Sequence, residues 1–405
     1  MPKLKSLCLL FCVLILFGCE SKYHRAMQGG RVMNTNFVEK IPFDFSFGIP
    51  LMQVKIQGKS YQFLFDTGAP NVIGKELADQ LKYKTISTVD ISDSQGVKQK
   101  QKTILVDELQ IGDVLFKGMA ALIIDYNKVF ELGCLKIDGI IGSNLMSKLY
   151  WQIDYESKEI TFTDRMSLFD IPQEHYVLPM RERWSQKKPL VRITMDRMTF
   201  NNVTFDTGAT GGFSMVMGAA KDHIDSLAIF TMKGSNSVGV YGDGGSSDFK
   251  YVMIDTVRLG NLELFDQLIE FESKGAMTLG NRFLKGYRVI LDWHQQQVIL
   301  IENLGFDHKK EEHFGIRLKF KEEKVYVGAL VSGSYAEAKG LEIGTQILQM
   351  NDYNLRSVND SLGCYMIKTR MLDQLDTLQL TFDRNGMETQ VMLMKQDFTQ
   401  MKQKS

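Results

Sequence analysis

One short motif occurs twice in this chain and constrains its fold more than any other feature. The tetrapeptide Asp-Thr-Gly-Ala follows an apolar, strand-like run at residues 66–69 and again at residues 206–209. In each copy a buried strand would deliver a carboxylate, a hydroxyl and a glycine at its end. A single copy is typical of an ordinary turn, because Asp caps its own backbone and Gly tolerates unusual φ/ψ angles. Two copies in the same setting indicate a site that uses both.

The two motifs belong to a longer internal repeat. The segment Asp138-Gly139-Ile140-Ile141-Gly142 lies downstream of the first motif, and Met277-Thr278-Leu279-Gly280 lies downstream of the second. Asp154 and Asp292 then follow these segments at the same step, and each precedes a polar turn and an apolar strand. Self-similarity of this kind predicts one fold unit that is used twice, with Asp154 and Asp292 in structural turn positions.

These residues resemble the aspartic protease family. Its pattern is Asp-Thr/Ser-Gly followed, in the same lobe, by two apolar residues and a Gly. Ile140-Ile141-Gly142 matches this pattern, whereas the second copy departs from it at Thr278. The Ala after each motif resembles the retroviral branch, and two lobes in one chain resemble the pepsin arrangement. Over residues 38–302 the resemblance implies a mainly β fold, with two retropepsin-like β-barrel lobes related by pseudo-two-fold symmetry.

The resemblance also implies which residues perform the chemistry. Asp66 and Asp206 would form the catalytic pair, because two adjacent carboxyl groups share one proton and act together as base and acid. The hydroxyls would hydrogen-bond across to the facing loop and the glycines would let backbone N–H groups approach the carboxylates; these supporting residues are Thr67, Gly68, Thr207 and Gly208. Since Ala69 and Ala209 cannot donate a hydrogen bond to the pair, we expect activity nearer neutral pH than in digestive enzymes.

In each half of the repeat, a glycine-containing stretch lies between the Asp-Thr-Gly motif and the downstream glycine. Residues 89–97 alternate in polarity around a polar tip, which predicts a hairpin, and in aspartic proteases a hairpin here is the flap that closes over substrate. The corresponding stretch of the second half, residues 234–245, is rich in Gly and Ser. It is interpreted either as a second mobile flap or as a plain surface loop.

The N-terminal residues have the pattern of a targeting segment. Residues 1–19 combine Lys3 and Lys5 with a short apolar run, which predicts a signal peptide rather than a spanning helix. The ending Leu16-Phe17-Gly18-Cys19 resembles the bacterial lipoprotein box, so Cys19 is the predicted lipidation site; an ordinary signal peptide with an incidental Cys is the alternative. Residues 20–37 are polar and are predicted to be a flexible tether, and a protease pro-segment is the alternative.

The C-terminal part shows a different pattern of strand, turn and helix signals. Residues 306–397 show a strand, a Gly-Ser turn, one helical turn ended by Gly340 and another strand, and resemble a bacterial-type PDZ domain, with Tyr335 and Thr345 departing from its pattern. The resemblance places a peptide-binding loop at Phe314, Gly315 and Ile316, where a peptide C-terminus could bind by strand addition. A module that only packs on the protease is the other interpretation. Residues 398–405 are predicted to be a frayed tail.

Composition and other motifs exclude several function classes. The charges of the 48 basic and 48 acidic side chains cancel, so the net charge gives no argument for binding to nucleic acid. No metal is expected, because the six His residues include no His-Glu-x-x-His pattern, and no cofactor motif is found. Cys134 and Cys364 lie in different predicted domains and are each predicted to be a buried free thiol.

The sequence therefore predicts a monomeric aspartic endopeptidase, exported and lipid-anchored to a membrane of the bacterial cell envelope, with a PDZ domain that recruits or gates peptide substrates. The alternative is a non-catalytic, peptide-binding lipoprotein that keeps the fold. The predicted division of the chain is a signal peptide at 1–19, a tether at 20–37, lobe one at 38–165, lobe two at 166–305, the PDZ domain at 306–397 and a tail at 398–405.

Overall fold

The computed structural model describes residues 22–183, 185–235, 238–243, 245–305 and 312–400. The fold is mainly β, as predicted, with 51% of residues in strands and 17% in helices. The predicted signal peptide and Cys19 lie outside the described residues.

The first half of the chain contains the first Asp-Thr-Gly motif. Its strands are β1 (Arg31–Val32), β2 (Val38–Pro42), β3 (Leu51–Ile56), β4 (Lys59–Asp66), β5 (Val72–Gly74), β6 (Thr85–Ser92), β7 (Lys98–Ile111), β8 (Val114–Ile124), β9 (Gly139–Gly142), β10 (Tyr150–Asp154) and β11 (Glu159–Thr163). Its helices are α1 (22–28), α2 (Lys75–Leu81), α3 (Phe130–Cys134) and α4 (Ser143–Met146).

The second half contains the second motif. Its strands are β12 (Tyr176–Arg183), β13 (Lys188–Met195), β14 (Met198–Phe205), β15 (Phe213–Val216), β16 (Ala228–Gly234), β17 (Val238–Gly239), β18 (Gly242–Asp243), β19 (Ser247–Leu259), β20 (Leu262–Glu272), β21 (Thr278–Leu279), β22 (Tyr287–Asp292) and β23 (Gln297–Glu302). Its helices are α5 (Lys221–Leu227) and α6 (Asn281–Leu284).

Residues 312–400, here called the C-terminal unit, contain a smaller set of elements. Its strands are β24 (Glu312–His313), β25 (Ile316–Lys321), β26 (Lys324–Val331), β27 (Gln346–Met350), β28 (Tyr353–Asn354), β29 (Thr377–Arg384), β30 (Met387–Met394) and β31 (Gln396–Asp397). Its helices are α7 (Tyr335–Ala338) and α8 (Asp360–Lys368).

Each half contains a parallel strand pair that ends at its motif. In the first half β4 runs parallel to β9, with Asp66 opposite Gly142. In the second half β14 runs parallel to β21, with Phe205 opposite Leu279. The Phe63–Phe65 run is buried because β4 lies between β3 and β9, and such an interior strand reads as a continuous apolar run. The internal repeat thus corresponds to the same pairing formed twice.

A sheet made from both halves joins them. Its six strands run antiparallel in the order β12, β23, β22, β10, β11 and β2. The contact between halves is the β10–β22 pair, in which Trp151 lies opposite Leu291. Asp154 and Asp292, at the ends of these strands, accept hydrogen bonds from the backbone of the following turns, at 3.0 and 2.9 Å. This shared sheet lies in one continuous apolar core and holds the two motifs in fixed relative positions.

The C-terminal unit has its own apolar core and is also joined to the second half. Strand β26 pairs with β16, with Met232 opposite Val331. Phe398, in the segment predicted as a frayed tail, is fully buried and packs on Phe230 at 5.3 Å between ring centroids. The prediction that Phe398 lies in a frayed tail is therefore wrong, because its aromatic ring packs against apolar side chains of the second half.

A disulfide links the C-terminal unit to the first half. Cys134 at the end of α3 and Cys364 in α8 are bonded, with their Cα atoms 5.0 Å apart. The prediction of two free thiols is wrong. Sequence separation of 230 residues gave no indication of proximity, but α3 packs directly against α8 and so brings the two side chains together.

The predicted tether at residues 20–37 is also corrected over its described part. Residues 22–28 form α1, and β1 pairs with β8. Tyr23 and Met27 are buried in an apolar cluster with Leu51 and Leu64 of the first half. Their spacing of four residues places them on one helix face, which is why a polar segment still packs.

Candidate active site

The two motif carboxyl groups lie against each other. Asp66 is the last residue of β4, and Asp206 directly follows β14. A Cβ atom on Gly68 would lie 2.5 Å from the Asp206 carboxyl carbon, and one on Gly208 would lie 2.4 Å from that of Asp66. Glycine is therefore required at both positions, because any side chain would occupy the space of the opposite carboxyl group.

Backbone donors hold each carboxyl group in place. The Gly68 N–H donates to Asp66 Oδ1 at 2.7 Å, and the Gly208 N–H donates to Asp206 Oδ1 at 2.9 Å. The two carboxyl groups are close enough for each to perturb the pKa of the other. Two carboxylates at such a distance cannot both ionise without a large cost, so the pair favours a single negative charge.

Reciprocal threonine contacts lock the two motifs together. The Thr67 N–H donates to Thr207 Oγ1 and the Thr207 N–H donates to Thr67 Oγ1, both at 3.0 Å. The hydroxyl of Thr67 donates to the Phe205 carbonyl at 2.5 Å, and that of Thr207 donates to the Phe65 carbonyl at 2.8 Å. Both side chains are fully buried. These four bonds fix the geometry of the loops that present Asp66 and Asp206.

Burial raises the pKa of both carboxyl groups. The pKa of Asp66 lies well above its ordinary value of 3.8, first because of burial and then because of the adjacent Asp206 charge. Burial also raises the pKa of Asp206, but the nearby Lys188 ammonium opposes this more strongly than any other group. Lys188 therefore favours the ionised form of Asp206 within a pair that titrates as one unit.

Lys188 was not among the residues predicted for the site. It opens β13 and lines the same cavity as the two aspartates, and burial lowers its pKa. A sequence signal was present, because Lys188-Pro189-Leu190 aligns with Ile49-Pro50-Leu51 in the repeat. That alignment places a cation at one end of the pair and an apolar side chain at the other, which makes the two sides of the site unequal.

Asn281 and Tyr155 form a supporting layer that the sequence did not reveal. Asn281 Nδ2 donates to the Thr207 carbonyl at 2.7 Å, and the Tyr155 hydroxyl donates to Asn281 Oδ1 at 2.8 Å. The Asn281 N–H donates to the Ala209 carbonyl, as the Ser143 N–H does to the Ala69 carbonyl. Each motif loop is thus tied to the helix that follows its downstream glycine.

A cavity of about 1180 Å³ surrounds the aspartates and is covered by two hairpins. Strands β6 and β7 form the predicted first hairpin, whose tip includes Asp93 and Gly96. Its partner is the β17–β18 hairpin of the second half, where the Tyr241 N–H donates to Asp93 Oδ2 at 3.1 Å. The tips of the two hairpins therefore meet. Residues 239 and 240, in the stretch interpreted from sequence as either a second flap or a surface loop, line the cavity.

The far wall of this cavity contains two adjacent glutamates. Ser214 Oγ donates to Glu270 Oε1 at 2.9 Å, and the Tyr251 hydroxyl donates to its other carboxylate oxygen. Burial, followed by the charge of Glu270, raises the pKa of Glu272 to about 8. Glu272 is therefore largely uncharged at neutral pH, and its protonation depends on pH in the physiological range.

The predicted peptide-binding loop lies in the C-terminal unit, at the start of β25. Phe314 is buried, with 2% of its surface exposed, and Ile316 begins β25. The Gly315 N–H already donates to His313 Nδ1 at 2.9 Å. One of the three backbone donors expected for a peptide carboxylate is thus engaged within the loop.

The described residues contain no cluster of three or more metal-ligating side chains. None of the described helices is long and apolar enough to cross a membrane. Residues 52–145 match the family model described as aspartyl protease, a stretch that includes the first Asp-Thr-Gly and the downstream Gly142. No curated protein matches the chain.

Proposed function

We propose that this protein is an aspartic endopeptidase in which Asp66 and Asp206 hydrolyse peptide bonds. The observation that supports this most is the pair of facing carboxyl groups, each held by a backbone N–H, in the wall of a hairpin-covered cavity. The family match supports it for the first half. The second half supplies the other carboxyl group, and we propose that the halves are retropepsin-like lobes related by a pseudo-two-fold axis.

The unequal pair suggests the role of each carboxyl group. A water molecule between the aspartates would add its oxygen to the carbonyl carbon of the substrate, while Asp206 takes the water proton. Asp66 would give its proton to the carbonyl oxygen, which yields a tetrahedral diol. On collapse the C–N bond breaks, Asp206 passes its proton to the leaving nitrogen, and Asp66 regains a proton from a diol hydroxyl. The pair then returns to its starting state.

Lys188 and the hairpins complete this mechanism. The Lys188 charge favours the ionised form of Asp206, which is the form that can accept a proton. The hairpin contact between Asp93 and Tyr241 would exclude bulk water while substrate is bound. The raised pKa of the pair supports the expectation of activity nearer neutral pH than in digestive enzymes.

We also propose the predicted location and architecture for the full chain. The signal peptide and Cys19 would tether the enzyme to an envelope membrane, and the Cys134–Cys364 disulfide supports export, because disulfides persist in oxidising compartments. The C-terminal unit would be the PDZ domain that recruits or gates substrate. Its docking onto both halves supports a role at the cavity rather than an independent one.

Cleavage of a peptide library, read by mass spectrometry between about pH 4 and 8, tests the activity. We expect Asp66→Asn and Asp206→Asn each to reduce cleavage by at least about 1000-fold. Asp154→Asn is the matched control, because Asp154 ends a strand in the same way but only caps a turn, and it is expected to retain activity. Cleavage that is equal in the wild type and Asp66→Asn, or absent from both, would refute the proposal and leave a peptide-binding protein.

A further inference from the structure

The internal repeat allows the two sides of the aspartate cavity to be compared position by position. After each motif the same strands pair, namely β5 with β8 and β9 in the first half, and β15 with β20 and β21 in the second. On the first side, the positions of this pairing that line the cavity are all apolar, and they are Val72, Leu122, Ile124 and Ile140. On the second side, the positions in the same register also line the cavity but are all polar, and they are Ser214, Glu270, Glu272 and Thr278. We call these two sets the apolar wall and the polar wall.

The polar wall contains hydrogen-bonding groups that the protein itself leaves unused. Glu270 is held in place, because the hydroxyls of Ser214 and Tyr251 donate to its carboxylate. By contrast, among the described residues no group hydrogen-bonds to the Thr278 hydroxyl or to the Glu272 carboxyl group. Thr278 is also nine-tenths buried, with 9% of its surface exposed. Since buried polar groups are normally hydrogen-bonded, the polar wall is suited to receive a polar group of a ligand.

The surroundings of Glu272 indicate what kind of group would fit. Burial and then the charge of Glu270 raise the pKa of Glu272 from 4.5 to about 8, and Arg317 opposes this rise without cancelling it. An ammonium or guanidinium group against the Glu272 oxygens would supply both a positive charge and hydrogen-bond donors, and would favour the ionised form. A metal ion fits less well, because the described residues contain no cluster of three or more metal-ligating side chains. A basic side chain is therefore the complementary ligand.

We propose that the polar wall is a specificity pocket for a Lys or Arg side chain of the substrate, and that the apolar wall receives an apolar side chain. This rests on the proposed peptidase function and names its substrate class. Each wall belongs to the half that supplies one of the two aspartates, so the two side chains lie on opposite sides of the bond that is cleaved. The preferred substrates are polypeptides in which a basic and an apolar residue flank that bond. The departure of Thr278 from the aspartic protease pattern is explained by its place in this pocket.

Binding is tested first, so that the result does not depend on turnover. Asp66→Asn protein is titrated with fluorescent peptides that share one apolar frame and carry Lys, norleucine, Gln or Glu at a single position, which is moved along the frame. Norleucine matches the length of Lys without its charge. At the best position we expect the Lys peptide to bind about tenfold more tightly than the norleucine peptide, and the Glu peptide to bind most weakly. Equal affinity for Lys and norleucine at every position would overturn the proposal, and equal affinity for Lys and Gln would overturn the assignment to a basic side chain.

Variants in the same Asp66→Asn background then locate the effect. Glu272→Gln should abolish the advantage of Lys over norleucine. Glu263→Gln is the matched control and should leave the advantage unchanged, because Glu263 lies on the same strand but is exposed and pairs with Arg258 at 2.7 Å. Glu272→Ile combined with Thr278→Ile installs the residues of the apolar wall at the equivalent positions, and should make norleucine the preferred residue.

The norleucine peptide, which does not need Glu272, reports whether each variant is folded. A preference for Lys that persists in Glu272→Gln or in the double variant would overturn the pocket. An equal loss in Glu263→Gln would reduce the effect to net charge and would also overturn it.

Protein with both aspartates intact separates the two proposals. If it cleaves no peptide but the preference for Lys in binding persists and depends on Glu272, the peptidase function fails while the polar wall stands as a pocket for a basic side chain. If it cleaves peptides with no preference for Lys or Arg beside the cleaved bond, in kcat/KM or in binding, the enzyme stands and the pocket proposal fails.

Discussion

Replacing Thr207 by Val tests the hydrogen bonds that hold the two motifs together. The substitution preserves the shape of the side chain but removes the hydroxyl, which donates to the Phe65 carbonyl and accepts from the Thr67 N–H. Both partners come from the first motif loop, and Thr67 and Thr207 are fully buried. The variant thus removes two contacts between the halves without opening a large cavity.

The expected cost follows from what is left behind. The Thr67 N–H and the Phe65 carbonyl each lose a partner in a place that water does not reach. A buried group left unsatisfied costs about 1–3 kcal/mol, so two such groups predict a loss of about 2–6 kcal/mol in the free energy of unfolding. The added methyl group offsets about 0.8 kcal/mol of this. We therefore expect a net loss of about 3 kcal/mol, within that range.

Thr103→Val is the matched control. Thr103 is also fully buried, but its hydroxyl has no hydrogen-bond partner among the described residues. Removing an unsatisfied buried hydroxyl should leave stability unchanged or raise it slightly. Urea denaturation followed by the fluorescence of buried Trp151 measures both variants. Equal destabilisation by the two substitutions would mean that the hydrogen bonds of Thr207 contribute nothing specific to stability, contrary to this prediction.

Three further predictions concern the disulfide and two titratable side chains. Cys134→Ser, Cys364→Ser and the double variant should each lower the free energy of unfolding by the same amount, about 2–5 kcal/mol, because all three remove one bond; losses that add in the double variant would contradict this. Since the pKa of Glu272 is raised from 4.5 to about 8, the wild type should lose stability as pH rises through that window, and the advantage of Glu272→Gln in urea denaturation should grow there and level off above it; a constant difference across pH would contradict this. Lys188→Met removes the cation that opposes the rise in the pKa of Asp206, so the acidic limb of the kcat/KM profile should move to higher pH; an unmoved limb would place Lys188 outside the electrostatics of the site.

The strand that ends at each Asp-Thr-Gly motif could be predicted because its pattern depends only on residues that are neighbours in sequence. An apolar run followed by Asp-Thr-Gly predicts a buried strand with a carboxylate at its end, and β4 and β14 have that form. The repeated downstream segments predict one fold unit used twice, and in the structure these segments form β9 and β21, which pair in parallel with β4 and β14. Repetition within one chain therefore substitutes for an alignment of relatives.

The errors concern contacts between segments far apart in sequence. The disulfide between Cys134 and Cys364 depends on how α3 meets α8, and nothing in the spacing of the cysteines encodes that contact. The N-terminal helix was missed because two buried residues, Tyr23 and Met27, are too few to outweigh a polar composition. The engaged Gly315 N–H was missed for a different reason: its acceptor lies only two residues away, but it is a His313 ring nitrogen whose orientation no sequence pattern predicts.

A carboxyl-carbon NMR titration of the protein labelled at aspartate measures directly whether Asp66 and Asp206 share one proton. Proton sharing predicts two well-separated transitions for the pair, with the upper one displaced above the ordinary value of 3.8, and a single transition at lower pH once Asp66 is replaced by Asn. Two independent transitions near 3.8, with Asp206 unaffected by Asp66→Asn, would contradict it.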